Sequence, residues 1–108
     1  RSRVGRRAAV MRFDLTRSAQ SDLKAIARFT QERWGVRQRN AYLKEMDRVF
    51  RSLARNPSIG RACDEIREGY RKLPHGAHVI YYRQASDTGL LIVRILHATM
   101  DVDSNIGA

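Results

Sequence analysis

Two stretches of helical period separated by a single glycine dominate the first half of this chain. Ala19, Leu23, Ile26, Ala27, Thr30 and Trp34 recur at steps of three and four and so share one helix face, with Lys24, Arg28 and Glu32 on the other. Thr16 stands where an N-cap belongs, its hydroxyl able to accept from an amide of the first turn. Gly35 ends this helix at little cost, because a positive φ there is easy for glycine. Tyr42, Met46, Val49, Phe50 and Leu53 repeat the period, and Asn56-Pro57 stops it, since proline disfavours helical geometry in the residue before it. Helices joined by so short a link fold back antiparallel. Their apolar stripes then face one another and one further surface, which is expected to be a sheet.

The strands for that sheet are found on either side of the hairpin. Met11, Phe13 and Leu15 alternate with Arg12, Asp14 and Thr16, the period of a half-buried strand. After a turn over Pro57 to Gly60, Ile66 to Leu73 reads as a strand with Gly69 as an irregularity, and Pro74 to Ala77 as a loop. His78 to Gln84 is strongly β-prone, Asp87, Thr88 and Gly89 supply hairpin chemistry, and Leu90 to His97 is nearly all apolar, as in a strand buried on both faces. The expected fold is α+β: an N-terminal strand, an antiparallel two-helix hairpin, then a three-stranded antiparallel sheet. The neighbour of the first strand is left open.

A length of 108 residues suits one modest core. Residues 1–10 read as a disordered basic extension or an expression remnant, and residues 11–108 as one domain. The chain carries 21 Lys and Arg against 11 Asp and Glu, a net charge of +10. Setting aside Arg1, Arg3, Arg6 and Arg7 leaves 17 cations against 11 acids, so the remainder is still basic at +6. Such a balance calls for an acidic partner: nucleic acid, acidic protein or anionic surface. A single cysteine, Cys63, excludes an internal disulfide and a multi-cysteine metal site, and fits a reducing cytoplasm. No apolar run approaches the ~18 residues of a spanning helix.

Candidate chemistry is sparse. The three histidines, His75, His78 and His97, are the available groups for proton transfer near neutrality. His75 reads as an exposed loop residue, His78 as a partner for the turn, and His97 as a cap on the last strand beside an open face. Neither their spacing nor that of the acids suggests a metal site, and nothing asks for a cofactor. Arg61, Arg67, Arg71, Lys72, Arg83 and Arg94 all belong to the sheet half. Arg83 and Arg94 flank the last hairpin and are expected to be cross-strand neighbours, which repel unless an acid joins them. Asp64, Glu65 or Asp101 are the internal candidates for that role; the alternative is an acidic partner. Arg37, Arg39, Lys44, Arg48, Arg51 and Arg55 read as the solvated face of the second helix, and Trp34 as core packing beside the hairpin turn.

The segment GRACDEIREGYRKLPHGAHVIYYR, followed by VRILHATMD, resembles the ParE branch of the RelE/ParE toxin superfamily, and the likeness runs from Met11 onward. That resemblance implies the same α+β architecture and a toxin of a type II toxin–antitoxin system, of the kind associated with plasmid stabilisation and growth inhibition. ParE-like members poison DNA gyrase by direct binding, without enzymatic chemistry, and are neutralised by ParD-type antitoxins. RelE-like members instead cleave mRNA on the ribosome, which needs an acid, a base and cations within reach of one phosphate. For that alternative the constellation is His97 with Arg83, Arg94 and Tyr82.

For the gyrase reading the contact candidates are Arg61, Arg67, Arg71, Lys72, Arg83 and His97, with Met100 and Asp101 of a tail that runs on to Asp103. A basic domain with an apolar groove between hairpin and sheet suits an acidic antitoxin segment that folds on binding. Leu23, Ile26, Phe29, Phe50, Leu53 and Arg94 are the residues placed to meet it, although most of the apolar ones also suit a plain core. Neither membrane association nor sequence-specific nucleic-acid binding is expected. A general RNA-binding module is suggested by charge alone and lacks a row of stacking aromatics.

Overall fold

The computed structural model describes residues 12–87, 89–100 and 102–106. Strand β1 (Arg12–Leu15) leads into helix α1 (Arg17–Trp34), and Gly35 alone separates it from α2 (Val36–Arg55). A single 3-10 turn (Pro57–Ile59) leads to strands β2 (Arg61–Ala62), β3 (Tyr70–His75), β4 (His78–Ser86) and β5 (Gly89–His97), and a short helix α3 (Val102–Ile106) ends the described chain. Met11, the expected start of the first strand, and Thr88 of the last hairpin lie outside the described residues.

The sheet order is β1-β5-β4-β3-β2. β1 pairs in parallel with β5, and the other pairings are antiparallel. This places β5 between β1 and β4, so its apolar run is buried from both sides: Leu90, Ile92, Val93, Ile95 and Leu96 are all buried. The helical hairpin covers one face through Ala19, Ile26, Met46, Phe50 and Leu53, which pack on Ile80, Tyr82, Leu90, Ile92 and Ile95. On the opposite face Cys63, Tyr81 and Leu96 form a smaller cluster, covered by Ile66, Tyr70, Val79 and the α3 residues Val102 and Ile106.

Thr16 splices these parts together. Its hydroxyl accepts from the Ala19 amide at 2.9 Å, capping α1 as expected, and donates to the Val93 carbonyl at 2.7 Å. Val93 is the extra residue of a bulge, since Tyr81 pairs with Arg94 and Tyr82 with Ile92. The Thr16 amide extends the β1–β5 ladder by donating to the Ile92 carbonyl.

Two segments depart from the sequence expectation. Ile66 to Gly69 forms a turn, not a strand: the Ile66 amide donates to the Cys63 carbonyl, the Gly69 amide to the Asp64 carboxylate, and Gly69 has a φ of 86°. β3 begins only at Tyr70 and then runs through Pro74 and His75, which were expected to be loop; the turn is Gly76-Ala77. Proline is tolerated there because β2 pairs only with Arg71 and Lys72. At Pro74 the strand is an edge and needs no donor on that side.

Thr16→Ala removes both the cap and the tie to the bulge, and is expected to cost about 1–2 kcal/mol in urea unfolding. Thr16→Ser, which keeps the hydroxyl, should recover most of that loss. Equal stability of the two variants would show that the hydroxyl contributes nothing.

Candidate functional site

A groove of about 640 Å³ opens between the far half of α1, the start of α2 and the end of the sheet. Ala25, Ile26, Phe29, Trp34, Ile95 and Met100 make it apolar, with Asp22, Tyr42, His78 and His97 at its polar margin. Three of its large side chains are strongly exposed: Phe29 at 55%, Trp34 at 61% and Met100 at 47%. Trp34 therefore does not pack in the core as expected. At this end of α1 only Thr30 of the stripe is still buried, and Trp34, a turn further on, is left uncovered. Instead Trp34 stands edge-on to Phe29 at 6.2 Å, and the Arg33 guanidinium lies 5.7 Å and 5.3 Å from their rings. A contiguous apolar patch of this kind, rimmed by charge, marks an interaction site.

Of the residues expected to meet an antitoxin, Ile26 and Phe29 line this groove. Phe50 and Leu53 are buried in the core, and Leu23 with Phe50 lines a second hollow of about 440 Å³ on the other side of α1. Arg94 is committed elsewhere. Its Nε and Nη2 donate to the two Asp22 carboxylate oxygens at 2.7 Å and 2.8 Å, and Nη1 donates to the Asn105 carbonyl of α3. The same carboxylate accepts the Ile95 amide at 2.9 Å. The Asp22 hydrogen bonds raise the pKa of Arg94 further, against the effect of burial.

Arg83 and Arg94 are not cross-strand neighbours: Arg94 faces Tyr81, and Arg83 faces Leu91 and Tyr70. Arg94 lies three residues beyond Leu91, and the bulged Val93 accounts for one of the three. The cations that do face each other are Arg61 and Lys72, and among the described residues neither is in an ion pair. Asp64, one of the expected counter-ions, accepts the Gly69 amide instead; Asp101 lies outside the described residues. Lys72 and Arg83 share the face turned away from the helices, opposite Tyr81 and Tyr70 respectively, so with Arg61 they form a strip of cations. Arg67 lies exposed in the turn after β2, and Arg71 points the other way, its Nε donating to the Gly60 carbonyl at 3.0 Å. His97 and Met100 lie at the opposite end of the sheet, in the groove. The gyrase candidates thus fall in two places.

The nuclease constellation is not assembled. His97 faces His78 whereas Arg83 lies five residues further along β4, about 17 Å away at strand rise. Tyr82 is fully buried; its hydroxyl donates to the Pro57 carbonyl at 2.6 Å and accepts the Gly60 amide at 2.8 Å. Burial raises its pKa above the ordinary phenol value. Tyr82 fastens the chain between α2 and β2, and Gly60 is required there because a Cβ would strike the Tyr82 ring and the Lys72 carbonyl. Cys63 is fully buried, and desolvation pushes its thiol up, away from reactivity. On α2, Arg48 and Arg51 pair with Glu45 and Asp47, as a solvated helix face does.

His75 is not a loop residue but the last of β3, directly opposite His78. The Tyr42 hydroxyl lies 3.0 Å from His78 Nδ1. Sequence reasoning missed Asp22 and Tyr42. A signal for Asp22 was present: it follows Ala19 by three and precedes Ile26 by four, which puts a carboxylate on the buried stripe of α1.

The model of the ParE toxin of type II toxin-antitoxin systems, parDE, matches residues 13–102. The chain belongs to the ParE toxin family. It is 47% identical to Toxin ParE1 of Mycobacterium tuberculosis over 95 residues, covering 88% of this chain and 97% of that protein. It is 33% identical to Toxin ParE1 of Caulobacter vibrioides with the same coverage. A solved chain of the chromosomal ParDE TA system from P. aeruginosa superposes with a TM-score of 0.69 at 20% identity, covering 82% of this chain and 97% of that one, a likeness of fold. The expected α+β architecture holds for this chain.

Arg94→Met leaves the Asp22 carboxylate without its cation and is expected to cost about 2–4 kcal/mol in chemical unfolding. Tyr82→Phe should cost about 1–3 kcal/mol through the two groups it orphans. If Tyr82 is scaffold, growth inhibition by the folded Tyr82→Phe protein is unchanged; a loss of inhibition at full folding would return the phenol to the active surface.

Proposed function

We propose that this ParE-family toxin inhibits DNA gyrase by direct binding in the cytoplasm, makes and breaks no covalent bonds, and is neutralised by an acidic ParD-like antitoxin seated in the α1–α2 groove. The observation that carries the antitoxin half is the groove itself. Phe29, Trp34 and Met100 are left exposed around it on a chain of charge +10, a surface suited to an amphipathic segment with its apolar side inward and its acids outward. The gyrase half draws on the family, whose ParE members act in this way, and on the cation strip of Arg61, Lys72 and Arg83. A protein surface or DNA held by the enzyme would supply the missing anions. The non-enzymatic reading is supported by where the nuclease candidates sit: Tyr82 as a clamp, Arg94 in an ion pair, and Arg83 far from His97. No described helix is long and apolar enough to cross a membrane.

The decisive experiment pairs gyrase supercoiling with an mRNA cleavage assay in a translation extract. Loss of supercoiling with intact mRNA is expected; cleaved mRNA with unaffected supercoiling would overturn the proposal. The two surfaces should also separate genetically. Trp34→Ala and Phe29→Ala are each expected to weaken binding of the antitoxin encoded beside this gene by about 30-fold, as residues at the centre of an interface do, and to leave gyrase inhibition intact. Arg61→Glu with Lys72→Glu should do the reverse.

A further inference from the structure

All three histidines of the chain meet at one end of the sheet. His75 closes β3, His78 opens β4 and His97 closes β5, and the register sets His78 opposite both of the others. Residues directly opposite one another project from the same face. The rings of His78 and His97 meet edge to face with centroids 5.6 Å apart. Tyr42 reaches over from α2, its ring 5.7 Å from that of His75 and 6.1 Å from that of His78. The Thr99 amide and hydroxyl hold His97 in place through Nδ1. His78, His97 and Tyr42 all line the apolar groove. Among the described residues no group of His, Cys, Asp and Glu is arranged to hold a metal ion.

We propose that this imidazole cluster makes occupancy of the groove proton-linked: an apolar segment fills the groove when the cluster is neutral, and acidification releases it. The proposal rests on reading the groove as the antitoxin seat. Four groups face His78 from the elements packed around it. His75 and His97 resist a second positive charge, Tyr42 is a neutral phenol whose own pKa burial raises, and Asp22 attracts a proton but is neutralised by Arg94. The balance lowers the pKa of His78 from the ordinary 6.5, through burial first and the neighbouring imidazoles next, with Asp22 opposing.

A segment seated over His78 removes the water it still has and pushes the same way. A base whose pKa is lower in the complex than in the unoccupied toxin binds fewer protons when occupied. Affinity is then complete above the pKa of His78 in the unoccupied toxin. It declines as pH falls through that value, and levels off below the pKa in the complex. Each unit of further depression is about tenfold in affinity.

The test measures binding between about pH 7.5 and about pH 4.5, a range that reaches below the ordinary imidazole value because His78 is shifted down from it, with two probes. One is the antitoxin encoded beside this gene, by calorimetry. The other is N-phenyl-1-naphthylamine, a neutral apolar dye, followed by its fluorescence and that of Trp34. Both are expected to bind the native toxin about tenfold more weakly at the acid end. In His78→Gln, with folding checked by circular dichroism, the drop should shrink to less than about threefold. Affinity that stays constant or rises on acidification, or a drop that persists in full in His78→Gln, would overturn the linkage. An antitoxin that binds at no pH sinks the partner reading alone, because the dye still reports whether the groove is proton-linked.

Discussion

The fold turns on one charge placed in an apolar strand. β5 lies between β1 and β4 under the helical hairpin, and Arg94 interrupts it. A guanidinium in that position is tolerable only when paired and fully hydrogen-bonded. Asp22 supplies a two-oxygen partner from α1, and the Asn105 carbonyl accepts a third N–H, from Nη1. The Asp22 carboxylate also takes the Ile95 amide, just where β1 has ended and the edge of β5 would otherwise be open. One salt bridge thus fixes the first turns of α1 to the sheet and the short α3 to its other side. The groove opens between the second half of α1, the start of α2 and the end of the sheet.

What could be read from the chain follows the distance between interacting residues. The hairpin was legible because each of its determinants is local: the Thr16 cap, the apolar period, Gly35 and Asn56-Pro57. The apolar run of β5 likewise announced burial on both faces. What escaped was long-range. The Thr16–Val93 bond spans 77 residues and the Asp22–Arg94 pair 72, and no local pattern connects them. The bulge at Val93 belongs to the same class, and so does the register as a whole, which sets Arg83 opposite Leu91 and His97 opposite His78 and so keeps Arg83 apart from both Arg94 and His97.

Site residues divide in the same way. Ile26 and Phe29 were expected beside an apolar groove between hairpin and sheet, and they line the groove that opens there. Trp34 was assigned to the core because periodicity reports which face of a helix is apolar, not whether anything lies beneath its last turn. The histidines looked unrelated because no two of 75, 78 and 97 stand at the i, i+4 spacing of a helical metal site. Sheet register, invisible in the chain, sets them side by side. Cys63 is the contrary case, a residue of reactive type that the fold simply buries.

The arrangement gives the toxin two surfaces that need not compete for the same residues. The cation strip of β2, β3 and β4 belongs to one end and face of the sheet, whereas the groove opens at the other end. A segment lying in the groove leaves Arg61 and Lys72 uncovered, so neutralisation in the proposed scheme has to act by another route than masking them. The tail provides one. Met100 lies in the groove, and Asp22 on its margin is joined through Arg94 to the backbone of α3. That short helix is the one that covers Cys63, Tyr81 and Leu96 on the far face. The Asp22 carboxylate at the groove's margin is in this way joined, through a single guanidinium, to the short helix packed on the face that carries the cations.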